Sequence, residues 1–153
     1  AVPVADFNTS RAETTEWTQA NVPSDATVDV HSRPLYRPQF AAGTNVTWIE
    51  VQSDRPDEQQ RAISRVESGQ ADYIVLSSSH YRRFFRDPLT FQETTEMYRS
   101  LLNDETAYRI TSQFGPPIAT SETPMTHFRQ SFQPGSIPKD GNPTIVVLQY
   151  SDS

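Results

Sequence analysis

The fold is decided by one stretch in the middle of the chain, Ala71-Asp72-Tyr73-Ile74-Val75-Leu76-Ser77-Ser78-Ser79-His80. Its first half is a short apolar run rich in β-branched and aromatic residues, and its second half is a polar cluster. Such a run is typical of a buried strand, and the polar end predicts that the strand opens into a functional loop. We therefore expect the middle strand of an α/β sheet here, with any binding edge at its carboxyl end.

The segments around this stretch alternate between helical and strand patterns, which predicts the fold class. Alternating or compact apolar residues predict four further strands over residues 26–31, 45–51, 107–114 and 143–150. Capping boxes at Ser10 and Thr90, and an N-cap at Asp54 with Gly69 after the last turn, predict helices. We expect a three-layer α/β sandwich with about three helices and a mixed sheet of about five strands. The first three strands should be parallel and the last two antiparallel.

The length of 153 residues predicts a single domain over residues 1–153, since one core suffices at this size. Apolar residues make up 35% of the chain and charged residues 21%, which excludes a disordered acidic protein. We interpret residues 1–9 as a linker or a former membrane-proximal segment. Residues 115–143 are rich in Pro, Ser and Thr, which predicts a long loop.

The charge of the chain argues against one class of partner. A net charge of −6 and a pI near 5.0 repel phosphate backbones, so we expect no nucleic-acid partner. The basic residues are twelve arginines and one lysine, Lys139. This bias is compatible with an archaeal or bacterial source of high salinity or high GC content.

Several kinds of chemistry lack the residues that they need. The chain has no cysteine, and His31, His80 and His127 lack the close spacing of a zinc site, so we expect no metal and no cofactor. Ser77–Ser79 lack the glycine-flanked elbow of a catalytic serine, and we expect them to bond to local backbone instead. The longest aliphatic run, Ile145–Leu148, is far shorter than the ~20 residues of a membrane span. We therefore predict that these residues do not cross a membrane.

Two N-glycosylation acceptor patterns indicate a compartment. Asn8 begins an Asn-Thr-Ser sequon, and Asn45 begins an Asn-Val-Thr sequon. Such sequons have physical meaning only on exposed segments in an extracytoplasmic space. They favour an extracytoplasmic location, with Asn8 and Asn45 as candidate glycosylation sites.

Candidate binding residues follow two of the predicted strands. His31 and His80 would lie just beyond strand ends, where open α/β sheets place their ligands. With Tyr81, Arg82 and Arg83, they would form a pocket for an anionic or sugar-phosphate group, because Arg offers a planar fork of donors. The alternative is that all of these are solvated loop residues.

The segment Tyr81–Arg86 holds the densest basic and aromatic residues of the chain. Its aromatic rings suit a membrane interface, and Arg82, Arg83 and Arg86 suit anionic headgroups or a partner surface. The alternative is a turn whose two Phe residues enter the core.

Short segments along the chain resemble a known family. They are Trp17 with Asn21-Val22-Pro23-Ser24-Asp25-Ala26-Thr27-Val28, then Ala71-Asp72-Tyr73-Ile74-Val75-Leu76-Ser77-Ser78, Tyr98-Arg99-Ser100-Leu101-Leu102, Tyr108-Arg109-Ile110 and Pro143-Thr144-Ile145-Val146-Val147-Leu148. In this order, over residues 11–150, the chain resembles the soluble tail of multi-spanning glycosyltransferases. These are the prokaryotic relatives of dolichyl-phosphate-mannose–protein mannosyltransferases.

The resemblance implies a role without catalysis for this part of the protein. In that family, a bundle of membrane helices precedes an extracytoplasmic α/β domain whose entry helix ends in a similar Asn-Val-Pro turn. Catalysis there uses an acidic residue between early membrane helices, so no catalytic residue is implied in this chain. The chain departs from the family between Gly115 and Asn142, where the family tail has an acidic stretch.

These observations lead to one hypothesis and two alternatives. The hypothesis is a non-catalytic, extracytoplasmic accessory domain of a polyprenyl-phosphate-dependent membrane glycosyltransferase, tethered to the membrane in the full-length protein. Its partners would be the membrane-embedded part of the same protein or the membrane surface, with a glycan or polyprenyl-phosphate sugar as ligand. The first alternative is a free-standing α/β enzyme or binding protein that takes a sugar phosphate or another anion at the His31/His80 edge. The second is a cell-surface interaction module.

Overall fold

The structure, a computed structural model, describes residues 9–32, 37–51, 55–115 and 143–151. The elements along these residues are α1 Thr9–Asn21, β1 Thr27–His31, β2 Asn45–Ile49, α2 Pro56–Ser68, β3 Tyr73–Ser77, α3 Ser78–Arg86, α4 Gln92–Leu102, β4 Tyr108–Phe114 and β5 Ile145–Tyr150. The predicted linker over residues 1–9 and the predicted loop over residues 115–143 fall largely outside the described ranges, as does Asn8.

The five strands form one mixed sheet in the order β2-β1-β3-β5-β4. The strands β1, β2 and β3 are parallel, and β5 is antiparallel to both β3 and β4. The predicted α/β class, the mixed sheet of five strands and the antiparallel final pair are therefore confirmed. The strand β3 is central, and all five of its residues are buried.

Helices pack on both faces of this sheet, as the three-layer prediction requires. The larger core lies under α2, α3 and α4 and comprises Val51, Ala62, Val66, Ile74, Leu76, Tyr81, Phe84, Phe85, Met97, Tyr98, Leu101, Leu102, Tyr108, Val146 and Leu148. The smaller core on the opposite face comprises Val22, Ala26, Val28, Val30, Tyr73, Val75, Ile145 and Val147. Trp17 of α1 and Phe40 pack against the smaller core.

The described part of the chain contains four helices, one more than the prediction of about three. The additional helix is α3, which begins directly after β3 at Ser78. None of the helices within the described ranges has the length and apolar character needed to span a membrane.

The ends of the helices follow the sequence signals only in part. Ser10 is not the N-cap of α1, because the helix already begins at Thr9, and the Ser10 hydroxyl donates to the Pro143 carbonyl at 2.5 Å. Phe91, not Thr90, occupies the N-cap position of α4, and no side chain caps that helix. Both predicted capping boxes are therefore wrong. The helix α2 ends as predicted at Gly69, which is left-handed with φ 65°.

A β-bulge in β4 divides that strand between the two cores. The sequence places Tyr108 and Phe114 on one face by simple alternation, but the register shifts between Ile110 and Ser112. Tyr108 consequently belongs to the larger core, while Phe114 packs against the smaller core beside Trp17. A bulge adds one residue to one strand and so reverses the faces beyond it.

We expect Gly115→Ala to destabilise the fold by about 3 kcal/mol, because left-handed strain adds to a backbone clash. Gly115 has φ +89°, and a Cβ atom there would collide with the Pro143 carbonyl oxygen that accepts from Ser10. Gly43→Ala is the matched control, since Gly43 has φ +96° but leaves 3.5 Å to its nearest neighbour. The control should cost about 1 kcal/mol. Urea unfolding of both variants measures the difference, and equal losses would contradict the clash.

Candidate functional site

The carboxyl ends of β1 and β3 meet at a point where the chain leaves the sheet on opposite faces. On one face, Gln39 lies against α1, where Thr18 Oγ1 donates to the Gln39 carbonyl and Thr15 Oγ1 accepts from the Gln39 amide, both at 3.0 Å. The helix α3 after β3 lies on the other face. Open α/β sheets bind ligands in the crevice at such a point. His31, the last residue of β1, and His80, in the first turn of α3, lie at this crevice.

The two histidines are brought together there with Tyr98 of α4. His31 Nδ1 and the Tyr98 hydroxyl are hydrogen bonded at 2.9 Å, and the ring centroids of His31 and His80 are 6.3 Å apart. The exposed fractions of His31, His80 and Tyr98 are 0%, 1% and 0%. We call these three residues the His–Tyr cluster. It is an internal polar cluster of the larger core, and no signal in the sequence marked Tyr98 as a partner of the histidines.

The charge state of His31 follows from its burial. Desolvation lowers its pKa from 6.5 to about 4, although the nearby Asp29 carboxylate opposes this shift and Arg65 adds to it. A protonated His31 would carry an N–H donor on each ring nitrogen, and Nε2 has no hydrogen-bond partner among the described residues. His31 is therefore neutral at pH 7 and does not supply a positive charge for an anion.

His80 and Arg83 connect α3 to Val51, which lies just beyond the end of β2. The Val51 amide donates to His80 Nε2 at 3.4 Å, and the Arg83 guanidinium donates to the Val51 carbonyl. The Arg83 guanidinium carbon also lies 5.0 Å from the centre of the Phe84 ring. Two of the predicted ligand-binding residues thus bond to the main chain of Val51.

The segment Tyr81–Arg86 is helical, so the alternative of a turn is wrong in its backbone, although both Phe residues enter the core as that alternative stated. The ring of Tyr81 is buried with them, and burial raises the pKa of its hydroxyl. Arg82 and Arg83 are half-buried, Arg86 is exposed, and burial lowers the pKa of Arg82. The aromatic rings therefore face inward, and a basic face remains on the other side of α3.

The predicted bonding of the three serines at the end of β3 to local backbone holds for Ser77, whereas Ser78 bonds to the distant Thr144 and the Ser79 hydroxyl bonds to that of Ser77. Ser77 Oγ accepts from the Ser79 amide at 3.3 Å and caps α3. The Ser78 amide donates to the Thr144 carbonyl, and Ser78 Oγ accepts from the Thr144 amide, each at 2.9 Å. These contacts attach the start of α3 to the residue that precedes β5.

A buried ion pair lies beside the cluster, and the sequence pattern did not reveal it. Both oxygens of Asp29 on β1 accept from the Arg65 guanidinium of α2 at 2.8 Å. The side chain of Asp29 is 2% exposed and that of Arg65 is 25% exposed. The hydrogen bonds to Asp29 raise the pKa of Arg65. An alternating strand with one polar face was expected here, but both faces of β1 are covered.

Within the described ranges, no group of three or more His, Cys, Asp or Glu side chains is placed to hold a metal ion. The candidate glycosylation residue Asn45 is exposed at the start of β2. Comparisons of the chain with protein families, with curated proteins and with solved structures find no match.

We expect the free energy of unfolding to fall by about 3 kcal/mol as the pH drops from 6.5 to 4, because of His31 alone. The folded pKa of about 4 lies below the unfolded value of 6.5, so the unfolded chain binds the extra proton in this window. The contribution of His31 to the free energy of unfolding is fully present above pH 6.5 and is lost as the pH falls to 4. Urea unfolding of His31→Gln should lack this component, because Gln does not titrate. An NMR pKa of 6 or higher for His31 would contradict the prediction.

Removal of either partner of the Asp29–Arg65 pair should destabilise the fold unequally. Arg65→Ala leaves a nearly inaccessible carboxylate, at a cost of about 4 kcal/mol, whereas Asp29→Ala leaves a guanidinium that reaches water, at a cost of about 2 kcal/mol. Arg99→Ala, which removes the exposed Arg99–Glu96 pair, is the control and should change stability by less than about 0.5 kcal/mol. A double-mutant cycle in urea measures the coupling. A loss below about 1 kcal/mol for Arg65→Ala would show that the pair is unimportant.

Proposed function

We propose that this chain is a non-catalytic, extracytoplasmic accessory domain of a polyprenyl-phosphate-dependent membrane glycosyltransferase. One observation carries the proposal: the polar residues at the carboxyl edge of the sheet are internal parts of the fold. His31 bonds to Tyr98, and His80 and Arg83 bond to Val51. Groups arranged in this way stabilise a scaffold, which is the role that the resemblance implies for this part of the protein.

The segments that carry the resemblance support the same interpretation, because they form the core. The Asn-Val-Pro turn joins α1 to β1, and its Val22 is buried. The other segments coincide with β3, the end of α4, the start of β4, and β5. A likeness that resides in core positions concerns the fold and its lineage, whereas catalysis in that family belongs to the membrane-embedded part.

The proposed role is to sit over the membrane-embedded part and to assist access of the acceptor or of the lipid-linked sugar. The basic face of α3 suits such a position, because it presents Arg82 and Arg86 while the chain as a whole is acidic. The alternative ligand site at the His31/His80 edge is supported less well, since a ligand there would first have to expose two buried imidazoles.

The proposal is tested on the full-length gene product in membranes, by transfer of sugar from a polyprenyl-phosphate donor to an acceptor. We expect the isolated chain to transfer no sugar. Deletion of residues 9–151 should lower transfer at least about tenfold, equivalent to ~1.4 kcal/mol of barrier height, while the membrane part remains inserted. Transfer by the isolated chain, or a gene that encodes only a signal peptide before Ala1, would contradict the proposal.

The ligand-binding alternative has its own measurement. Thermal-shift assays with sugar phosphates should give no stabilisation of the chain. If one of them does stabilise it, the variant His80→Ala/Arg83→Ala should abolish the shift, and Arg61→Gln on α2 should retain it as the control. That pattern would replace the accessory role with a sugar-phosphate site at the carboxyl edge.

A further inference from the structure

The strand β2 forms one edge of the sheet and lacks the usual protection of an edge. In the described part of the chain it pairs only with β1. Edge strands generally carry a charge, a proline or a bulge that prevents pairing with another chain. The residues Asn45–Ile49 contain none of these and include Val, Thr, Trp and Ile, which favour strand formation.

The opposite edge, β4, shows the protection that β2 lacks. It carries Arg109 and the bulge between Ile110 and Ser112. Exposure at β2 is also high, since Asn45 and Thr47 are exposed and Trp48 is 41% exposed. The two edges of one sheet therefore differ, and among residues 9–32, 37–51, 55–115 and 143–151 it is β2 that offers an edge open to pairing.

The sequon Asn45-Val46-Thr47 occupies the first three residues of this edge. The Asn45 amide donates to the Ala26 carbonyl at 3.0 Å, which fixes the backbone at the start of the strand. Alternation places Asn45, Thr47 and Ile49 on one face. That face borders a groove of about 360 Å³ between β2 and α2, lined in part by Thr47, Ile49 and Arg61.

We propose that Asn45 carries an N-linked glycan and that this glycan shields the free edge of β2. The inference rests on the extracytoplasmic location in the proposed function. In the modification, Asn45 Nδ2 bonds to the anomeric carbon of a polyprenyl-phosphate-linked oligosaccharide, supplied and transferred by a separate oligosaccharyltransferase. The bond between that carbon and the phosphate oxygen breaks, the lipid phosphate leaves, and the amide loses one proton.

Without the glycan, a second copy of this chain can pair with the edge. An antiparallel pair of β2 strands centred on Thr47 would oppose Val46 of each copy to Trp48 of the other, with no charge in either strand. In this contact both copies contribute the same β2 edge, so the product is a dimer with two-fold symmetry. A bulky, hydrated glycan at Asn45 occupies the space that the second strand needs.

The test begins with peptide mass spectrometry of Asn45 in the full-length gene product from its native membranes, where we expect a glycan. The chain secreted from an N-glycosylating host is then compared by light scattering with three variants. Thr47→Ala removes the sequon and should about double the average mass through dimers, whereas Thr47→Ser keeps the sequon and should stay monomeric. Asn45→Gln/Thr47→Lys has no glycan, but the edge lysine should keep it monomeric.

Each result bears on a different part of the inference. An unmodified Asn45 in a protein shown to be extracytoplasmic would overturn the inference and leave the proposed function intact. A cytoplasmic location would overturn both. If Thr47→Ala is unmodified yet monomeric, or if Asn45→Gln/Thr47→Lys associates as Thr47→Ala does, then the glycan does not shield this edge.

Discussion

A buried carboxylate requires a cation, and Asp29 on β1 imposes this requirement on the rest of the structure. The Arg65 guanidinium satisfies both carboxylate oxygens and thereby fixes α2 over the sheet, with Ala62 and Val66 turned into the core. Two residues further along the same strand, His31 is hydrogen bonded to Tyr98 of α4. The polar residues of one covered strand therefore determine where two helices sit.

This arrangement explains why the carboxyl edge of the sheet behaves as a core. Buried polar groups are costly when they are unpaired, so a neutral His31 that is hydrogen bonded to Tyr98 is more stable than a charged one. The contacts of His80 and Arg83 with Val51 extend the polar interior to the chain beyond β2. Residue types that are common in ligand sites consequently serve here to align helices with strands.

The sheet was predictable from the sequence because its central strands are short apolar runs with clear ends. The helix α3 was not, since its buried residues have helical spacing over only nine residues and the serines before it also suit a loop. The Ser10 capping box failed because α1 begins one residue earlier, at Thr9, and the Ser10 hydroxyl bonds to Pro143, 133 residues away. Distant partners of this kind, including those of Asp29 and His31, are set by tertiary packing and leave no local pattern.

The position of β5 has a consequence for how the protein is made. This strand is the last element in the described chain, yet it lies between β3 and β4 in the sheet. During synthesis β3 lacks the strand that pairs with its inner edge until residues 145–150 have left the ribosome. The apolar edge of β3 is therefore made well before its partner, and closing the sheet depends on a non-local pairing, which slows folding.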